Sequence, residues 1–301
     1  MNRLIRWYNK NKKIFWIFIF VIIAIVIITQ SLNNYYKEND IVSSSEKNTT
    51  TYNAIQKPAI TGEIVNEEVS EKTTNIIDNF INYCNSGNTE YAYNLLSQEC
   101  KIELYPTIDK FIDNYYNKIF TENMAYDIET WISNENIITY RVSIVKDILS
   151  TGNANELSTQ DYYTIVKENN EYKLNISSYI GKKEINSVSS IENLNIEVIE
   201  KNIYVDYQIY KFKIVNNSDK KVILDSKKYT RSVNILDQNN VKYVGFLNEL
   251  SENELTVESG MGKEIKIKFN KSYNPKYLEK YIEFADITDE ENNKKGIKIE
   301  L

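Results

Sequence analysis

The sequence predicts a membrane-spanning helix, then an α+β domain, then an all-β sandwich. Three observations carry this. Ile14 to Ile28 is fifteen apolar residues without a break. From Ile76 to Ile119 apolar residues recur with a helical period, and from Tyr126 onward they alternate as in strands. After Ile191 only alternation persists, in short runs separated by Asn, Asp and Ser. Helices followed by antiparallel strands read as α+β, and a long series of short strands reads as a β-sandwich.

The apolar run widens to Ile14–Leu32 when uncharged neighbours are included, because no charge lies between Lys13 and Lys37. As a helix it rises roughly 28 Å, close to the hydrocarbon core. Trp16 marks one end, and Tyr35 and Tyr36 mark the other, where amphipathic rings favour the headgroup level. The tail before it carries Arg3, Arg6, Lys10, Lys12 and Lys13 and no acid, which predicts a cytoplasmic N-terminus and a C-terminal bulk outside. A cleaved signal peptide is the competing expectation, with Thr29-Gln30-Ser31 as a weak small-residue site.

Composition narrows the chemistry. The 301 residues carry a net charge of −6. Setting aside the five cations of the tail leaves 31 basic against 42 acidic residues, or −11 for the remainder. Such a surface argues against nucleic acid, whose phosphates need a basic patch. The absence of histidine removes Ser-His-Asp and Cys-His catalysis and HExxH metal sites. Cys84 and Cys100 flank a predicted helical hairpin, with a separation that favours free thiols over a bridge.

In chain order, 33–68 is polar and aperiodic and reads as a flexible stalk. Ile76, Ile77, Phe80, Ile81 and Cys84 make one helix face, and Gly87 suits its left-handed C-terminal position. Ala92, Leu95 and Leu96 line a second helix. Thr107 caps a third, whose face is Ile108, Phe111, Ile112, Tyr115 and Ile119. Strands follow at Tyr126–Ile132, Ile137–Val145, Asp161–Lys167 and Tyr172–Tyr179, with Glu168-Asn169-Asn170-Glu171 as a hairpin turn. Charge and Ser/Asn interrupt both patterns near Gly181–Ser190. This sets an α+β domain at 69–183 and a sandwich at 190–301. In the sandwich, KFKIV, EIKIKF and GIKIEL alternate strictly, and a short turn is expected at Pro275–Lys280.

The run FINYCNSGNTEYAYNLLSQECK, the helix end DKFIDNYYNKIF and the strand pair DYYTIVKENNEYKLNI resemble the nuclear-transport-factor-like (SnoaL-type, cystatin-like) family over about 110 residues. That resemblance implies an α+β cone, three helices on a curved antiparallel sheet around a pocket. Residues 190–301 resemble immunoglobulin-like accessory domains of Gram-positive surface proteins. The layout of basic tail, helix, stalk and cone resembles membrane-anchored assembly subunits of conjugation and type IV secretion systems.

Members of the cone family include isomerases that use an Asp or His base with aromatic hydroxyls. The resemblance therefore makes Tyr115, Trp131, Tyr140 and Tyr162 the candidate pocket-lining residues, with Asp127 and Asp161 as the carboxylates nearest to them. Asp161 opens a strand after a polar loop, so solvation is expected there rather than the apolar surround a catalytic acid needs. Glu67, Glu68 and Glu71 fit the first turn of a helix better than a metal site. The segment Asp286–Glu291 lacks the Gly and closing Glu of an EF-hand loop. No catalytic, cofactor-binding or metal-binding residue is assigned.

The expected protein is thus a membrane-anchored, extracytoplasmic binding or assembly component, held by residues 14–32 and joined to protein partners in an envelope complex such as conjugative secretion. Self-association stays open. Two alternatives also stay open. One is a small-molecule sensor or isomerase-like enzyme using the cone pocket. The other is a structural surface protein that binds wall polymer.

Overall fold

Helical periodicity becomes structure at α1, Glu67–Asn85. The computed structural model describes residues 58–134, 136–146, 159–225 and 232–301. Asn66 caps α1 by accepting from the Glu68 N–H, and Glu67 and Glu68 lie in its first turn, where the helix dipole favours acids. Ile77, Phe80, Ile81 and Cys84 are its buried stripe. Gly87, at φ +74°, closes the helix in a Schellman motif, with Gly87 N–H on Cys84 O and Asn88 N–H on Tyr83 O.

The other helical segments of this layer are short: α2 (Thr89–Leu95), α3 (Gln98–Leu104), α4 (Ile108–Phe111) and α5 (Asn117–Ile119). Thr107 caps α4 through the Lys110 N–H. A π turn at Ile112–Tyr116 joins α4 to α5, so 108–119 is helical throughout with one π bulge in the expected third helix.

The first sheet is an antiparallel meander, β1 (Met124–Ser133), β2 (Ile137–Lys146), β3 (Thr159–Glu168) and β4 (Glu171–Asn175). Asn169 and Asn170, both at positive φ, make the two-residue β3–β4 turn. Both outer edges of the meander are partly covered. Ala59 and Ile60 donate to Thr130 and Trp131 carbonyls on β1, and Ser97 N–H donates to Leu174 on β4.

The second sheet has the order β12-β7-β6-β5, from β5 (Tyr179–Ile191), β6 (Leu194–Tyr204), β7 (Gln208–Asn216) and β12 (Gly262–Phe269). The third contains β8 (Val222–Ile223), β9 (Val233–Asp237), β10 (Lys242–Val244), β11 (Thr256–Val257), β13 (Glu279–Asp289) and β14 (Lys294–Glu300). Its centre is β13, which pairs β14 along one edge and β9 and β8 along the other. These two sheets share a core that includes Phe212, Phe269, Ile282 and Phe284. A short helix, α6 (Glu252–Leu255), leads directly into β11 and carries a Ser251–Glu254 capping box.

The expected architecture therefore needs correction. Strands dominate the described residues. One long helix and several short segments replace a three-helix cone on a sheet. The two-sheet part, with four strands in one sheet and six in the other, fits an immunoglobulin-like sandwich only loosely. Among the described residues no helix is long and apolar enough to cross a membrane. The expected transmembrane segment 14–32 and most of the stalk lie outside the described residues. The membrane, signal-anchor and extracytoplasmic placements consequently go no further.

All described residues belong to one compact unit. Gly181–Ser190, expected as a boundary, is the body of β5 and pairs with β6. The α3 helix fastens the layers together. Glu99 accepts from the Tyr179 hydroxyl (2.9 Å) and the Lys182 N–H (2.7 Å), and Glu103 accepts from Lys182 Nζ (2.8 Å) and Asn202 Nδ2 (3.1 Å).

Candidate functional site

The four aromatic residues expected to share a pocket are divided by the first sheet. Tyr115 and Tyr140 are buried in the interior. Trp131 and Tyr162 are only half-buried and pack together on the opposite face, ring centroids 5.5 Å apart, with the Arg141 guanidinium over Trp131. Arg141 also pairs with Glu129. Asp127 is exposed. Neighbouring residues of a strand point to opposite faces, so Tyr162 could not accompany Asp161 and Tyr163 inward.

Asp161 is buried, contrary to the expectation of solvation. Its Oδ1 accepts from the N–H groups of Tyr162 (2.7 Å) and Ser178 (3.0 Å). Its Oδ2 accepts from the Ser177 N–H (3.1 Å) and the Tyr115 hydroxyl (3.2 Å). Burial pushes its carboxyl above the usual range, and these donors pull back against that shift. Ser177 and Ser178 hold φ of 56° and 60°, a left-handed pair without glycine. The carboxylate thus fixes a tight turn between β4 and β5.

The interior beside Asp161 is filled. Tyr115 and Tyr163 share a 2.5 Å hydroxyl contact, and burial raises both phenols well above their ordinary range. The Phe80 ring meets Phe111, Tyr115, Phe120 and Tyr163 at centroid distances of 5.6–6.5 Å. Both thiols sit in this core and are free. Burial pushes Cys84 up strongly and Cys100 up to about 12. Among the described residues no three Cys, Asp or Glu side chains come together as metal ligands.

Open space lies elsewhere. A cleft of about 250 Å³ runs between the start of α1 and the β1–β2 hairpin. Val65, Val69, Ile138 and Ile165 give it an apolar floor, and Lys167 and Tyr172 stand at its β3–β4 side. Ile64 lines it while 63% exposed, and Ile60, four residues earlier, is 53% exposed. Sequence reasoning missed this site because 63–66 read as stalk. The available signal was Asn66 as an N-cap ahead of the acidic first turn already read at Glu67 and Glu68, which sets 63–66 directly against a helix start.

A second polar centre lies inside the two-sheet part. Glu279, on β13, bonds Lys201 Nζ of β6 (2.8 Å), Lys271 Nζ after β12 (2.9 Å) and Gln208 Nε2 of β7 (2.8 Å). The Tyr210 hydroxyl donates to Gln208 Oε1 (3.1 Å). Burial alone would raise the Glu279 carboxyl, but the two lysines outweigh it and bring it down to about 2. Burial lowers Lys201 in turn. A carboxylate saturated by two ammonium groups and an amide is a structural clamp rather than a proton carrier.

A scan against protein-family models finds no match, and a search of curated proteins finds no similar chain.

Proposed function

We propose that this chain is a binding protein that receives an apolar group of a protein partner in the cleft between α1 and the β1–β2 hairpin. The observation that carries this is the continuity of exposed apolar surface with the cleft floor. Ile64, which lines the cleft with Val65, Val69, Ile138 and Ile165, carries that apolar floor outward and is 63% exposed. Apolar area placed in water at the mouth of a preformed cleft favours association. The cleft is smaller than the roughly 300 Å³ at which pockets for drug-sized ligands begin, while the exposed Ile64 offers contact beyond it. That combination suits one inserted side chain with a flanking surface. The filled interior around Asp161 gives no comparable support to an isomerase-like reading.

The test is site-specific photo-crosslinking in cells with the full chain, the probe placed at Ile64 or, for comparison, at Val188, which is equally exposed on β5. A discrete adduct is expected from Ile64 and not from Val188. It should disappear when Val69→Trp fills the cleft. Equal adducts from both positions, or an adduct that survives Val69→Trp, would refute the proposal.

A further inference from the structure

We infer a second recognition surface, independent of the cleft, at the turn Asn274–Leu278: a basic, apolar tip that fits an acidic amphipathic segment of a protein partner. Tyr277 and Leu278 are 46% and 59% exposed. Val241, 48% exposed, belongs to the neighbouring turn. The two turns are joined by Gln238, whose N–H donates to Leu278 O (3.1 Å) and whose Nε2 donates to Lys276 O (2.9 Å).

The tip is rigidly held. Pro275 occupies the second position of a turn in which Tyr277 N–H donates to Asn274 O (3.1 Å) and Lys276 N–H donates to Asn274 Oδ1 (3.0 Å). Lys271, 1% exposed, donates to Tyr277 O (2.9 Å) while bound to Glu279. The backbone that carries two consecutive large apolar side chains is therefore held in place before any partner arrives, which reduces the entropy lost on binding. Tyrosine is also a frequent interface anchor.

Charge selects the partner. Lys276 and Lys280 bracket the pair and are exposed, and neither has an ion-pair partner among the described residues. The carboxylates nearest in the chain, Glu279 and Glu283, are each held by two lysines, and Asp237 of the neighbouring turn is buried and accepts from the Asn239 and Val241 N–H groups. On a chain of net charge −6 this is a local positive spot with an apolar centre. Acidic side chains flanking apolar ones complement it.

Fluorescence anisotropy on the full chain tests this with two dye-labelled amphipathic peptides of equal length and apolar content, one with Glu and one with Lys at every polar position. The Glu peptide is expected to bind at least tenfold more tightly than the Lys peptide. Its affinity should fall at least tenfold in Tyr277→Ser/Leu278→Ser and in Lys276→Glu/Lys280→Glu, with the thermal midpoint unchanged in both. It should survive Val69→Trp, which separates this surface from the cleft. Equal binding of the two peptides, or Glu-peptide binding indifferent to both double variants, overturns the inference. So does concentration-dependent dimerisation, or flotation with anionic vesicles, that is abolished by Tyr277→Ser/Leu278→Ser, since either assigns the tip to another occupant.

Discussion

Replacing Glu279 by Gln tests the buried clamp of the two-sheet part. The change keeps size and one carbonyl acceptor but leaves Lys201 and Lys271 buried without a counter-charge. The carboxyl titrates near 2 in the fold against an ordinary 4.5. At ~1.4 kcal/mol per pH unit, that interval corresponds to roughly 3 kcal/mol of stability. Breaking a buried ion pair from one side costs a similar ~3–5 kcal/mol. The lowered Lys201 takes part of this back, so about 3 kcal/mol is the expected loss at pH 7. The sign follows from the depressed acid: its stabilisation is complete above about 4.5 and is lost as the pH falls towards 2. Urea denaturation of the full chain between pH 7 and pH 2 measures both quantities. The parent should weaken steeply below pH 4.5, and Glu279→Gln should start weaker and lose less. A variant within about 1 kcal/mol of the parent at pH 7, or one with the parent's full acid dependence, refutes the argument. Lys72→Ala, which breaks an exposed pair with Glu68, is the control and should leave stability unchanged.

Three further outcomes are expected. Asn216 is fully buried, and its Nδ2 reaches the carbonyls of Lys220, Val257 and Glu258 at 2.9–3.2 Å while its Oδ1 holds Ser218. Asn216→Ala should lose about 2–3 kcal/mol in urea denaturation, and parental stability would show that these carbonyls find other donors. At Gly62, φ is +132° and a Cβ would stand 2.0 Å from Ser133 O, so Gly62→Ala should detach 59–61 from β1. Hydrogen exchange at Ala59, Ile60 and Ser133 should rise sharply, and unchanged protection would contradict the geometry. Cys84 and Cys100 should resist a thiol-disulfide reagent in the native protein and both react in guanidinium, because burial keeps them protonated and inaccessible. Rapid native labelling of either would contradict this packing.

Local chemistry was legible wherever a short stretch satisfies itself. The α1 stripe, the left-handed Gly87, the Thr107 cap and the Asn169–Asn170 hairpin all follow from neighbouring residues. The candidate sites were less legible. Val69, Ile138 and Ile165 lie far apart in the sequence, and only their assembly from α1, β2 and β3 leaves a gap among them. Tyr277 and Leu278 read as a short turn, and nothing local indicated that Lys271 would hold that turn rigid.

What the sequence by itself determined is the helical start, the strand-rich remainder and the exclusion of histidine chemistry, because periodicity and composition are properties of neighbours. What only the tertiary structure decided is which polar groups leave water. Lys201, Gln208, Lys271 and Glu279 look like solvated residues of four separate segments. Asp161 looks like a strand-opening acid, and Gly181–Ser190 like a linker. A charge can be buried only where distant donors compensate its lost hydration, and a strand without an apolar alternation can form only where a neighbour such as β6 supplies its hydrogen bonds. Those partners lie far along the chain, so folding alone brings them together.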